Sequence, residues 1–165
     1  MFNRLRNHLL DLRDRQRIGI ALSRGAAMMH SRNIDLASPG TWEFCGFSQN
    51  GEDGILDVLR RQLRSANRYF IEIGVADGIE NNTAWLALAE KYSGIMVEGD
   101  ALCASRGQRM IAAYSVSVEC HNLFVTRESA AQLASLALHE DPDVFSLDID
   151  GNGLADLLWN GGTPA

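Results

Sequence analysis

Three carboxylates in this sequence stand where short apolar runs end. Glu72 lies in Phe70-Ile71-Glu72-Ile73-Gly74-Val75-Ala76-Asp77-Gly78, Glu98 in Val97-Glu98-Gly99-Asp100, and Asp148 in Leu147-Asp148-Ile149-Asp150-Gly151-Asn152-Gly153. In open α/β sheets the ligand sits outside the carboxyl ends of the strands, where glycines let backbone N–H groups approach it. The loop after the first run reads G-x-x-x-G, with Ala76 where the middle glycine of the dinucleotide pattern G-x-G-x-x-G would lie, which weakens a pyrophosphate reading. An acid two residues before the first glycine, Glu72, suits instead a ligand carrying an ammonium group, as the methionine end of S-adenosylmethionine does. The same glycines also serve a plain chain turn. Glu98, one β-α unit later, is placed to accept hydrogen bonds from both hydroxyls of a ribose, with a solvated strand-end carboxylate as the alternative.

The last run opens like a calcium loop, D-x-D-x-N-G, but position twelve would be Trp159 where a bidentate Glu is required. Gly151 and Gly153 read as turn residues whatever the acids do. Asp148 and Asp150 are the paired acids of that edge, so a base for a hydroxyl acceptor would come from them, Asp150 ranked before Asp148. His121 has no nucleophile to activate and reads as structural or solvated. Cys45, Cys103 and Cys120 are widely spaced, odd in number and without a CxxC pair, so no zinc site or disulfide framework is indicated and no metal is expected.

The elements that must position these groups follow from periodicity. Short apolar runs at 69–75, 94–97, 115–119 and 144–149 alternate with helical stretches near 83–91, 102–112 and 128–139, the pattern of an α/β, doubly wound, mainly parallel sheet of Rossmann-like type. Right-handed crossovers covering both faces fit strands that are nearly all apolar, and the expected strand order is 3-2-1-4. Ahead of the sheet, residues 48–64 predict a helix capped by Ser48 or Asn50, with Glu52 and Asp53 in its first turn and Ile55, Leu59 and Leu63 on its buried face. Residues 31–47 read as a connector tacked to the core by Trp42, Phe44 and Phe47.

Residues 3–30 predict a helix with Leu5, Leu9 and Leu12 on one stripe. The chain therefore divides into a basic amphipathic helical arm over 1–32 and an α/β domain over 33–165. The arm carries seven Arg against Asp11 and Asp14, a net +5, which leaves the rest at −11 within the overall −6. The acidic body argues against nucleic acid as a partner. The arm suits a solvated helix, an anionic membrane surface or an acidic protein. Composition, 46% hydrophobic and 22% charged, is that of a globular domain. No apolar run approaches the roughly 20 residues that span a bilayer, and the unpaired cysteines suit a reducing compartment, so a cytoplasmic location is expected.

Taken together, Ser48-Gln49-Asn50-Gly51-Glu52-Asp53, the Phe70 to Gly78 run, Glu80-Asn81-Asn82-Thr83, Val97-Glu98-Gly99-Asp100 and Leu147-Asp148-Ile149-Asp150-Gly151-Asn152 resemble the FkbM-type S-adenosylmethionine-dependent methyltransferases, in order and spacing, over about residues 44–155. The resemblance implies that Glu72, Gly74, Asp77 and Gly78 line the methionine part of the cofactor, that Glu98 binds its ribose and that Asp148 faces the sulfonium. Residues 117–119 would lie near the adenine. It further implies methylation of oxygen on a sugar or another hydroxylated small molecule. Class I methyltransferases continue with three more strands past the fourth, so the expected sheet is incomplete, with an open edge that invites a homo-oligomer or a partner chain. A non-catalytic, partner-completed remnant of the fold and an NAD(P)-binding oxidoreductase fragment are the competing expectations.

Overall fold

A computed structural model of the chain describes residues 2–115 and 117–148. Asp150 and the turn residues Gly151 and Gly153 lie outside the described residues. The elements run α1 (Phe2–Ser31), a 3-10 turn (Pro39–Thr41), α2 (Glu52–Arg60), β1 (Tyr69–Ile73), α3 (Ala84–Leu88), β2 (Ser93–Glu98), α4 (Ala101–Tyr114), β3 (Val118–Asn122), α5 (Ala130–Leu136) and β4 (Val144–Leu147). The four strands form one parallel sheet in the order β3-β2-β1-β4. This is the α/β, Rossmann-like arrangement expected from the alternation of apolar runs and helices.

Side-chain alternation along the strands divides the core into two layers. Phe70, Met96, Val118 and Cys120 face the cluster that holds Ile18 and Ala21 of α1, Trp85 and Leu86 of α3, and Met110 and Ile111 of α4. Tyr69, Ile71, Ile73, Ile95 and Val97 face the other way, against Leu133 of α5. Helices following β1 and β2 thus cover one face and the helix following β3 covers the other. The reversal occurs beside β1, whose neighbours are β2 and β4, and it opens a crevice at the carboxyl ends of these strands.

The amino-terminal helix departs from its expected packing. Leu9 and Leu12 of the predicted stripe are 58% and 50% exposed, and the face that docks is Asp14, Ile18, Ala21 and Gly25. Asp14 is 1% exposed because Arg106 of α4 reaches it through Nε at 2.9 Å and through a second contact from Nη2. Arg17 joins Asp77 at 2.7 Å and Arg106 lies 3.2 Å from the same carboxylate, so one network of charges ties α1 to α4 and to the loop after β1. From Asp14 onward the helix is part of the core rather than a separate arm. Among the described residues no helix is long and apolar enough to cross a membrane.

Helix α2 differs in the same sense. It begins at Glu52, capped by Gly51 rather than Ser48 or Asn50, and it buries Asp53, Gly54, Asp57 and Val58 while Leu59 and Leu63 are exposed. Asp57 is paired with Arg32 at 2.7 Å, Arg60 at 2.7 Å and Arg61 at 3.1 Å. These guanidiniums outweigh the burial of its carboxyl and hold its pKa below the ordinary range. Phe44 and Phe47 anchor the connector as expected, both buried, with Phe44 set edge-on against Trp85 at 4.9 Å, while Trp42 stays outside the core and donates from Nε1 to the Asp35 carbonyl at 2.8 Å.

Candidate functional site

Main-chain geometry after β1 builds the first wall of the crevice. Gly74 and Gly78 have φ of 86° and 76°, and Ala76, between them, takes the left-handed conformation at 47°. A non-glycine residue held there costs about 1 kcal/mol or more, and it persists only where surrounding contacts impose it. Glu98 supplies that contact: its Oε2 accepts the Ala76 N–H at 2.7 Å, while Oε1 accepts the Asp100 N–H at 2.8 Å. The side chain thus straps the glycine loop to the end of β2. Asn122, at the end of β3, donates from Nδ2 to the carbonyls of Glu98 and Gly99 and fixes the adjacent strand end.

Around these groups lies a cavity of about 490 Å³, within the range of small-molecule sites, lined by Ile73, Gly74, Ala76, Glu98, Gly99, Asp100, Leu123, Phe124, Val125 and Asp148. Two of its properties restrict what it can hold. Leu123, Phe124 and Val125 give one side an apolar wall suited to a planar ring. Glu98, Asp100 and Asp148 put three carboxylates on the lining, and among the described residues no Lys, Arg or His belongs to it. A pyrophosphate would meet only like charge there, whereas a ligand with a positive centre is favoured.

A second cavity, of about 300 Å³, is lined by Ser48, Gln49, Asn50, Glu52, Glu80, Asn81, Asn82 and Asp148. The S-Q-N-G-E-D segment and the Glu80-Asn81-Asn82 turn, 30 residues apart in sequence, therefore face one space. Asp148 belongs to both linings.

The candidate residues separate into three groups. Gly74, Glu98 and Asp148 come together at the first cavity, as expected. Glu72 does not reach it: the side chain turns to the opposite face of the sheet, is 0% exposed, and accepts the N–H groups of Asn82 at 2.9 Å and Thr83 at 3.0 Å together with the Thr83 hydroxyl. Its carboxylate holds the turn that floors the second cavity, and it belongs to neither lining. Burial pushes its pKa up to about 7 against the lowering effect of those hydrogen bonds.

Asp77 and Gly78 are also absent from both linings. Asp77 is engaged by Arg17 and Arg106, which hold its carboxyl below the ordinary range despite its burial. Gly78 seats the loop on α4, where a Cβ would stand 3.0 Å from the Gly107 Cα. Gly78→Ala therefore combines a positive φ with a backbone clash and is expected to cost about 2 kcal/mol in urea denaturation, while Gly40→Ala, with open space around it, leaves stability within about 0.5 kcal/mol. Equal effects of the two substitutions would overturn this account.

The adenine-side expectation shifts along the chain. Strand β3 begins at Val118, not at 115, so the segment that borders the cavity is 123–125, just after the strand, and residues 117–119 lie at the strand's opposite end. His121 lines neither cavity and meets Glu119 at 3.0 Å. The three cysteines are free, and among the described residues no group of three or more His, Cys, Asp or Glu is arranged to hold a metal.

No family model, curated protein or solved structure matches this chain.

Proposed function

We propose that the first cavity binds S-adenosylmethionine and that the chain directs methyl transfer to a hydroxyl of a sugar or similar small molecule in the second. The observation that carries this reading is Asp148 on the wall common to both cavities, one of them carboxylate-lined with an apolar flank and the other lined by polar residues throughout. The donor set fits the cofactor part by part. Glu98 keeps a lone pair on each oxygen beyond those used by Ala76 and Asp100, which suits two ribose hydroxyls. Residues 123–125 would flank the base, and the glycine loop would lie along the amino-acid tail.

When bound, S-adenosylmethionine supplies a methyl group already activated by its sulfonium. The chain's work is then alignment and exclusion of water, with Asp148 accepting the proton released by the acceptor oxygen. The carboxylate lining favours this cofactor over a nicotinamide dinucleotide, whose pyrophosphate finds no cationic partner in the described lining.

Titration calorimetry with S-adenosylhomocysteine tests the reading. Wild-type protein is expected to bind, and Glu98→Gln to bind 10- to 100-fold more weakly, as loss of a charged acceptor pair implies, about 1.5–3 kcal/mol. Absence of binding to wild type, or NAD raising the thermal midpoint where S-adenosylhomocysteine does not, would remove it.

A further inference from the structure

The second cavity has a chemical bias of its own, and we infer that it selects a neutral or amino-bearing polyhydroxyl acceptor and rejects the phosphorylated or carboxylated forms of the same compound. As an acceptor site it rests on the cofactor reading above; as a polyol site it stands by itself. Every lining residue is polar, and Glu52, Glu80 and Asp148 place three carboxylates around about 300 Å³ with no basic residue in the described lining. Arg17, outside that lining, forms an ion pair with Glu80 at 3.5 Å and offsets part of that one charge. Repulsion between an incoming anion and three carboxylates in a partly enclosed space is screened less than at an open surface.

Acids alone would not make a site, and Asn81 supplies the independent observation. It lines the cavity, is 3% exposed, accepts the Thr83 N–H through Oδ1 at 3.2 Å, and leaves Nδ2 without a hydrogen-bond partner. A buried amide donor without a partner is costly, and a ligand hydroxyl oxygen would relieve it. Glu52 and Glu80 complement this donor as acceptors for hydroxyl protons, each already oriented by a neighbouring amide, Asn50 and Gln49 respectively. A donor with several fixed acceptors around it matches a vicinal polyol, whose hydroxyls both give and take hydrogen bonds. An ammonium group would be received as well as a hydroxyl. A phosphate or carboxylate would meet the like charges of Glu52, Glu80 and Asp148 with no cation in the described lining.

Saturation-transfer NMR provides the test, with methyl pyranosides of gluco, galacto and manno configuration, their uronate and 6-phosphate counterparts, and the 2-amino-2-deoxy forms, each measured with and without S-adenosylhomocysteine. At least one neutral glycoside is expected to bind, its amino form equally or more tightly, and its anionic counterparts at least tenfold more weakly. Glu52→Gln combined with Glu80→Gln should narrow the neutral-to-uronate ratio at least fivefold while leaving S-adenosylhomocysteine affinity unchanged. Asn81→Asp should weaken the neutral glycoside at least threefold in protein whose thermal midpoint shows that it is folded.

Anionic glycosides binding as well as neutral ones, or no glycoside binding to protein that does bind S-adenosylhomocysteine, would overturn the inference and leave the cofactor reading intact. Glycoside binding with the expected charge preference but no affinity for S-adenosylhomocysteine would do the reverse. Failure of both ligands would remove both.

Discussion

Asp53→Ala is expected to lower the unfolding free energy by about 4 kcal/mol, and Asp53→Asn by only about 1 kcal/mol, in urea titrations followed by circular dichroism. The carboxylate is 0% exposed, and its Oδ2 accepts three backbone N–H groups, from Gly46 and Phe47 at 2.7 Å and Ser48 at 3.0 Å. Ser48 returns the contact, its Oγ accepting the Asp53 N–H at 3.0 Å. Residues 46, 47 and 48 are all buried, so removing the acceptor strands three donors away from water. Asn keeps one carbonyl oxygen for the same three donors and places its NH2 where Oδ1 already lacks a partner. Burial also raises the Asp53 pKa despite its three N–H donors, so a neutral replacement gives up little charge stabilisation. A loss for Asn equal to that for Ala would show that the negative charge, not the acceptor geometry, holds the segment. Because Ser48 belongs to the second cavity, folded Asp53→Ala protein should lose glycoside binding while S-adenosylhomocysteine affinity persists.

That acid shows where sequence pattern is informative and where it is not. Strand order and parallel pairing were legible because β1 and β2 are short, apolar and covered on both faces, a pattern that helices of this length do not produce. Helix faces were less legible. Amphipathic periodicity scores every acid as a surface residue, yet Asp14, Asp53 and Asp57 are buried, each bound by at least one group outside its own helix. Arg106, 92 residues from Asp14, and Arg32, 25 residues from Asp57, have no local signature relating them to those carboxylates. Once such pairs form, the leucines at 9, 12, 59 and 63 turn outward.

At the candidate site, the place of Glu98 at the cavity rim was legible because an acid at a strand end lies at the carboxyl edge of the sheet, whereas its hydrogen bonds to the Ala76 and Asp100 N–H groups were not. Residues 123–125 were not, because edge strand β3 carries Glu119, His121 and Asn122 and lacks the continuous apolar run that marks a central strand. Glu72 was legible as a strand acid but not in its role. The main-chain turn at residues 82 and 83 that claims it becomes visible only when the backbone is folded.

Glu72 makes the largest expected contribution to the pH dependence of stability. Its folded pKa, about 7, lies above the ordinary value of 4.5, so the native state binds the proton more tightly than the unfolded chain does. The associated stability is fully present below about pH 4.5, declines as pH rises through about 7, and is lost above it. An upward shift of this size corresponds to at most about 3 kcal/mol. Asp57 and Asp77, with lowered values, weaken the fold only as pH falls into the acid range, outside the interval from pH 5 to 8. Cys120, raised by burial to about 11, acts only in alkali.

The protonated carboxyl has a ready recipient in the Thr83 hydroxyl, whose oxygen can take the proton's hydrogen bond while Asn82 continues to donate to Oε1. Urea midpoints of wild type are therefore expected to fall between pH 5 and pH 8. The difference between wild type and Glu72→Gln should carry that slope, since Gln retains an acceptor for Asn82 but cannot ionise. Asp53→Asn serves as the control for the other buried acid with a raised value. A wild-type minus Glu72→Gln difference that stays flat from pH 5 to 8 would mean that the hydrogen bonds from Asn82 and Thr83 outweigh burial and keep Glu72 ionised. The turn flooring the second cavity would then be held by a full charge 74 residues from its β4 neighbour Ser146.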